Sequence, residues 1–173
     1  MELNKLYFYT ATILDWKQLL SFDKYKDYII NSLKYLVDNK KIALYGFVIM
    51  PNHIHIIWEL LELNGKELPH VSFMKYTSHL ILKDLQTNNP KLLSEFKVNL
   101  ETRTHQFWQR DALPVHLYTP EVIYQKLDYI HNNPLQDKWM LVELATDYKY
   151  SSAYFYENEK DDFGILTHIN ERI

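Results

Sequence analysis

Lys41-Ile-Ala-Leu-Tyr-Gly-Phe-Val-Ile-Met50-Pro51-Asn52-His53-Ile-His-Ile-Ile-Trp-Glu-Leu60 decides the fold. Two runs rich in apolar and β-branched residues flank Pro51-Asn52, which is turn chemistry. They read as two strands, 41–50 and 53–60, forming a hairpin. Side chains alternate along a strand, so His53, His55, Ile57 and Glu59 share one face. Ile54, Ile56, Trp58 and Leu60 share the other, which is wholly apolar and is expected under helices. The histidines are then expected on the open side of the sheet.

Outward from the hairpin, residues 6–14 (LYFYTATIL) read as a preceding strand. Phe22, Tyr25, Ile29, Leu33 and Leu36 recur at helix spacing, predicting a helix over 22–39. A second long helix is expected over 70–87, closed by Asn88-Asn89-Pro90. The stretch 96–118 is weaker, with short strands expected around 107–108 and 115–117. Thr119 suits an N-cap, Pro120 the first helical position and Glu121 the helix dipole, so a helix should run from there to about Asn132 and stop at Pro134. The order is strand, helix, strand, strand, helix, strand, helix. That is an α+β, ferredoxin-like (RRM-like) pattern: an antiparallel sheet with helices on one face plus a C-terminal helix. The chain of 173 residues is expected to form a single domain, with 135–173 as a C-terminal extension.

Composition narrows the chemistry. No cysteine is present, which excludes disulfides, thiolate metal sites and a thiol nucleophile; three glycines leave no Gly-rich loop. No long apolar run or signal-peptide pattern occurs, so no membrane partner is expected and the cytoplasm is the expected compartment. The net charge of −3 conceals a gradient: residues 66–110 hold seven Lys/Arg against four Asp/Glu, residues 135–173 four against eight. A basic middle suits nucleic acid on one face; ordinary solvated surfaces explain it too.

Two histidines two apart on a strand can hold a divalent metal, or can simply be half-exposed imidazoles. In the helix from Pro120, Ile123, Leu127 and Ile130 form the stripe expected to be buried. Val122, Lys126, Tyr129 and Asn133 form the stripe beside it. Tyr129 is therefore the tyrosine at the edge of any site on that face; an interfacial tyrosine with no chemical role reads the same way. Asn133, one turn on, suits either an amide ligand or a helix C-cap before proline.

These residues also carry a resemblance. Gly46-Phe-Val-Ile-Met-Pro-Asn-His-Ile-His-Ile-Ile57 resembles the histidine–hydrophobic–histidine signature of single-tyrosine HUH transposases. Tyr129-Ile-His-Asn-Asn-Pro134 is similar to the Tyr-Ile-His-x-Asn-Pro element of the REP-associated tyrosine transposases. Phe107-Trp108-Gln109 and Tyr150-Ser-Ser-Ala153 fit the same subgroup, so the resemblance spans about residues 6–156. It implies a transposase-type endonuclease and strand transferase acting on single-stranded hairpin DNA made by palindromic repeats. It implies His53 and His55 as metal ligands and Tyr129 as the nucleophile, giving a 5′-phosphotyrosine. Asn133 stands where insertion-sequence relatives carry a glutamine ligand. The implied metal is Mg²⁺ or Mn²⁺. Residues 72–79 (SFMKYTSH) resemble a family helix and make Lys75 a candidate DNA contact, with Arg103 and Arg110 from the basic middle. Lys126, beside Tyr129, would favour phenolate or bind phosphate, or is merely solvated; an unperturbed tyrosine, with a pKa of about 10, needs such help at neutral pH. The competing readings are a hairpin DNA or RNA binding module without catalysis, and a metal-dependent phosphodiester hydrolase. Monomer and homodimer are both compatible with the sequence, as are a tyrosine acting in its own chain or in a partner's.

Overall fold

The computed structural model describes residues 1–110 and 112–173. Four strands, β1 (Leu6–Thr12), β2 (Ile42–Ile49), β3 (His53–Leu60) and β6 (Leu113–His116), form an antiparallel sheet in the order β2-β3-β1-β6. That is the ferredoxin-like order, with β6 as the fourth strand. In register, Thr10 faces His55 and Thr12 faces His53 on β1–β3, while Phe8 faces Val115 on β1–β6.

Helices α1 (Asp23–Asp38) and α2 (Pro69–Asn88) lie within two residues of the expected spans. They cover the Trp58 face. There Ile29, Leu33, Phe73 and Ile81 pack on Phe47, Ile54, Ile56 and Trp58, all buried. At about 25 cal/mol per Å² of apolar surface, this layer is the main source of stability.

The expectation of an open histidine face is corrected by α4 (Pro120–Asn132), which lies across it. Ile123, Leu127 and Ile130 bury themselves against Phe8, Val48, Met50 and Ile57. An exposed apolar Phe8, Val48 and Ile57 would be costly, and α4 brings a matching stripe. Gly46 permits the close approach. A Cβ there would stand 3.0 Å from Ile130 Cδ1 and 3.1 Å from Leu127 Cδ1. The β2–β3 register shifts between Leu44 and Gly46, a bulge at the same place.

Residues 135–173, expected as an extension, pack along β2. Ile49 N–H donates to Tyr150 O (2.9 Å), Ser152 N–H to Phe47 O (2.9 Å) and Thr167 N–H to Leu44 O (2.9 Å). The segment includes α5 (Ala153–Asn158), and it covers an edge that would otherwise present unpaired backbone groups. Its end is tied down by Arg172 Nε, which donates to buried Glu59 Oε2 at 2.6 Å.

The weak stretch departs from expectation. Residues 107–108 form no strand; Trp108 makes one bridge to Ile13 and donates from Nε1 to Thr77 Oγ1 (3.1 Å). A short helix α3 (Pro90–Ser94) and a separate hairpin, β4 (Lys97–Leu100) with β5 (Arg103–His105), precede it.

Candidate active site

His53 and His55 lie side by side on β3, ring centroids 4.7 Å apart, both buried. Each has an orienting partner on Nδ1. Asn52 Oδ1 accepts from His53 Nδ1 at 2.7 Å, which fixes that tautomer and leaves the Nε2 lone pair available. Thr10 Oγ1 stands 2.8 Å from His55 Nδ1. His55 Nε2 is buried with no hydrogen-bond partner. Burial pushes both imidazoles down, His53 to about 4 and His55 to about 3, with the charge of Lys138 acting on both and that of Lys126 on His55. Both are therefore neutral at pH 7, the form that ligates metals.

The helix α4 brings two further groups to the pair. The Tyr129 ring lies 5.3 Å from that of His55 and 6.1 Å from that of Phe8, and its residue is 43% exposed. It comes from the same chain as the histidines. Lys126 Nζ sits 4.8 Å above the Phe8 ring and 5.7 Å from the Tyr129 ring centroid. At the end of α4, Asn133 is 1% exposed, and its Oδ1 has no hydrogen-bond partner. Its amide acts on His53, opposing the downward push of burial. A buried amide oxygen left unsatisfied costs roughly 1–3 kcal/mol, unless something electropositive meets it.

The donor set fits a divalent ion: two imidazole Nε2 atoms and one neutral amide oxygen. The orienting contacts from Asn52 and Thr10 are those a metal-ligating histidine needs. No cluster of three or more His, Cys, Asp or Glu side chains occurs among the described residues, so the third protein donor would be the Asn133 amide.

Comparison with known proteins finds one curated relative and a neighbour in fold. No family model matches the chain. A curated protein of Haemophilus influenzae, provisionally named a REP-associated tyrosine transposase, is 25% identical over 152 residues, covering 86% of this chain and 80% of that one. The chain is similar to REP-associated tyrosine transposases. A solved structure described as the REP-associated tyrosine transposase bound to a REP hairpin superposes with a TM-score of 0.64. It covers 97% of this chain and 88% of that one at 15% identity, a likeness of fold.

The other candidate phosphate- and DNA-contacting residues fall in two places. Lys126 is at the tyrosine. Lys75, Arg103 and Arg110 meet at a groove of about 690 Å³ between α2, β5 and the segment after it. That groove is on the helix side of the sheet, away from His53 and His55. Lys75 is paired there with Glu67. Phe107 and Trp108, from the Phe-Trp-Gln stretch that carries part of the resemblance, are core residues. His131 is structural in its contacts: its Nε2 meets Ser152 Oγ at 2.9 Å, locking α4 to the segment that covers β2. The sequence reading missed Thr10, Asn52 and Phe8. Asn52 was visible beside His53, whereas Thr10 and Phe8 needed the β1–β3 register.

No helix among the described residues is long and apolar enough to cross a membrane.

Proposed function

We propose that this chain cuts and rejoins single-stranded DNA at the foot of hairpins formed by palindromic repeats, as a cytoplasmic transposase-type endonuclease and strand transferase. Three findings support it: the relative's name, the hairpin in the solved neighbour, and above all the packing of Tyr129 against His55 beside two unpartnered buried ligand atoms. The partner is then hairpin DNA with a single-stranded foot.

Tyr129 is the nucleophile. Its phenolic oxygen bonds to phosphorus, the bond from phosphorus to the 3′-oxygen breaks, and the phenolic proton ends on that 3′-oxygen. The product is a 5′-phosphotyrosine and a free 3′-hydroxyl, and the covalent bond conserves the phosphodiester for rejoining. Lys126 favours negative charge on the attacking oxygen or grips the phosphate. His53, His55 and Asn133 would hold Mg²⁺ or Mn²⁺, which when bound supplies Lewis-acid polarisation of a phosphate oxygen. Burial keeps both histidines neutral and their Nδ1 contacts keep the two Nε2 atoms aimed. Lys75, Arg103 and Arg110 would hold the DNA backbone away from the cut.

The test is an adduct assay. End-labelled hairpin oligonucleotides from repeats flanking the gene are incubated with Mn²⁺ or EDTA and run on denaturing gels. A metal-dependent protein–DNA adduct, absent in Tyr129→Phe and His53→Ala, is expected. Cleavage that survives Tyr129→Phe without an adduct would replace this reading with a hydrolase. Tight binding without cleavage in Mn²⁺ would replace it with a binding module.

A further inference from the structure

Trp16 is 60% exposed, while Trp58 and Trp108 are buried. It follows Asp15, and both have left-handed backbones, φ 55° and 56°. For two consecutive side-chain-bearing residues this is strained, so surrounding contacts must hold it. Asn52 Nδ2 donates to Trp16 O at 3.2 Å, and Leu14 N–H donates to Phe107 O at 2.7 Å. The same Asn52 amide accepts from His53 through its oxygen. One side chain thus holds both the histidine ring and the backbone that carries the exposed indole.

The Trp16 ring lies 6.5 Å from that of His53, and the Trp139 ring lies 5.9 Å from it. Lys138 Nζ sits 5.7 Å over the Trp139 ring. This wing mirrors the other, where Phe8, Tyr129 and Lys126 surround His55. Each wing pairs an exposed ring, Tyr129 in one and Trp16 in the other, with an ammonium suited to a phosphate.

From this we infer that the Trp16 wing is the seat of the leaving nucleotide, the one immediately 5′ of the cut. The inference rests on the nuclease reading above. In phosphoryl transfer the attacking and leaving oxygens are roughly in line. Tyr129 approaches from the His55 side, so the 3′-oxygen departs toward the His53 side, where Trp16 stands. Its indole stacks the base of that nucleotide, and Lys138 meets the next phosphate. Retention there keeps the 3′-hydroxyl in place for the reverse attack, in which the 3′-oxygen bonds to phosphorus, the tyrosyl–phosphorus bond breaks and the proton returns to Tyr129.

The experiment uses the full chain and a hairpin oligonucleotide carrying 2-aminopurine, or an abasic site, just 5′ of the mapped cut. Measured on uncleavable Tyr129→Phe protein, 2-aminopurine fluorescence is expected to be quenched on binding, and Trp16→Ala to abolish the quenching. Trp16→Ala should weaken binding about 5- to 150-fold, the range for loss of one stacked base, with Trp16→Phe recovering much of it. Trp16→Gly, which relieves the positive φ, should lose affinity equally while the fold gains stability. On abasic DNA the parent and Trp16→Ala should bind alike. With Tyr129 present, Trp16→Ala at saturating DNA should still form adduct but rejoin a smaller fraction. Unchanged quenching in Trp16→Ala, or equal losses on intact and abasic DNA, would overturn the assignment while leaving the nuclease reading intact. Failure of every protein to form adduct would overturn the nuclease reading, and this inference with it.

Discussion

The two faces of the sheet are built differently. Against α1 and α2 the sheet presents Phe47, Ile54, Ile56 and Trp58 to a layer that is almost wholly apolar. Against α4 it presents a smaller apolar cluster, around which His53, His55, Glu59 and Asn133 are all buried. Glu59 is satisfied by Tyr45 and Arg172, but His55 Nε2 and Asn133 Oδ1 are not. Unpartnered buried side-chain atoms occur on both faces, Trp58 Nε1 and His70 Nδ1 on the first and His55 Nε2, Asn133 Oδ1 and Trp139 Nε1 on the second, but on the second they belong to side chains gathered around Tyr129 and His53. A fold that optimised stability alone would not leave polar atoms buried and unpaired. The proposed chemistry uses that cluster on the second face.

The contrast can be broken most decisively at Tyr129. Tyr129→Phe should eliminate adduct formation altogether while leaving thermal unfolding nearly unchanged, since the hydroxyl belongs to a half-exposed residue. On the opposite face, Trp58→Ala should cost about 3–5 kcal/mol by denaturant titration, from lost burial and the cavity left behind. Gly46→Val probes the seam: its side chain would drive α4 off the sheet, and overpacking of this kind costs roughly 1–3 kcal/mol. It should also reduce adduct yield more than an equally destabilising change on the Trp58 face does. Thr10→Val removes the partner of His55 Nδ1. It should weaken Mn²⁺ binding by about 10- to 100-fold in calorimetry, with little change in the melt.

Acid sensitivity tests the burial of the second face. Burial holds His53, His55 and His131 at about 4, 3 and 4, below the ordinary imidazole value of about 6.5. The unfolded chain therefore binds more protons. The stability from keeping these rings neutral is complete above pH 6.5 and declines as pH falls toward 4. Denaturant midpoints between pH 7.5 and 4.5 should fall accordingly, and more shallowly in His131→Gln.

Much of this was legible from residues. The alternation of β3 separated the histidines from the core stripe, and the stripes of α4 put Tyr129, Lys126 and Asn133 at its margin. Those patterns depend only on strand and helix periods. The cover over the histidine face was not legible, because nothing local to α4 says which side of the sheet it docks on. Thr10 became a partner of His55 only through strand order, and Gly46 became a clearance only once α4 was placed. The β4–β5 hairpin is mostly exposed and carries little apolar periodicity to read. The groove joining Lys75 to Arg103 and Arg110 likewise depends on where that hairpin folds back onto α2.

The covering of β2 has a consequence during synthesis. Phe47 and Ser152, which bond across that edge, are 105 residues apart in the chain. At about 5–20 residues per second, the ribosome needs roughly 5 to 20 s to make the stretch between them. For that interval the nascent β2 edge is bare and adhesive, available to another chain or to a chaperone. The same interval must pass before the Ser152 hydroxyl can lock His131 and seat Tyr129, so the face that carries Tyr129 is completed late.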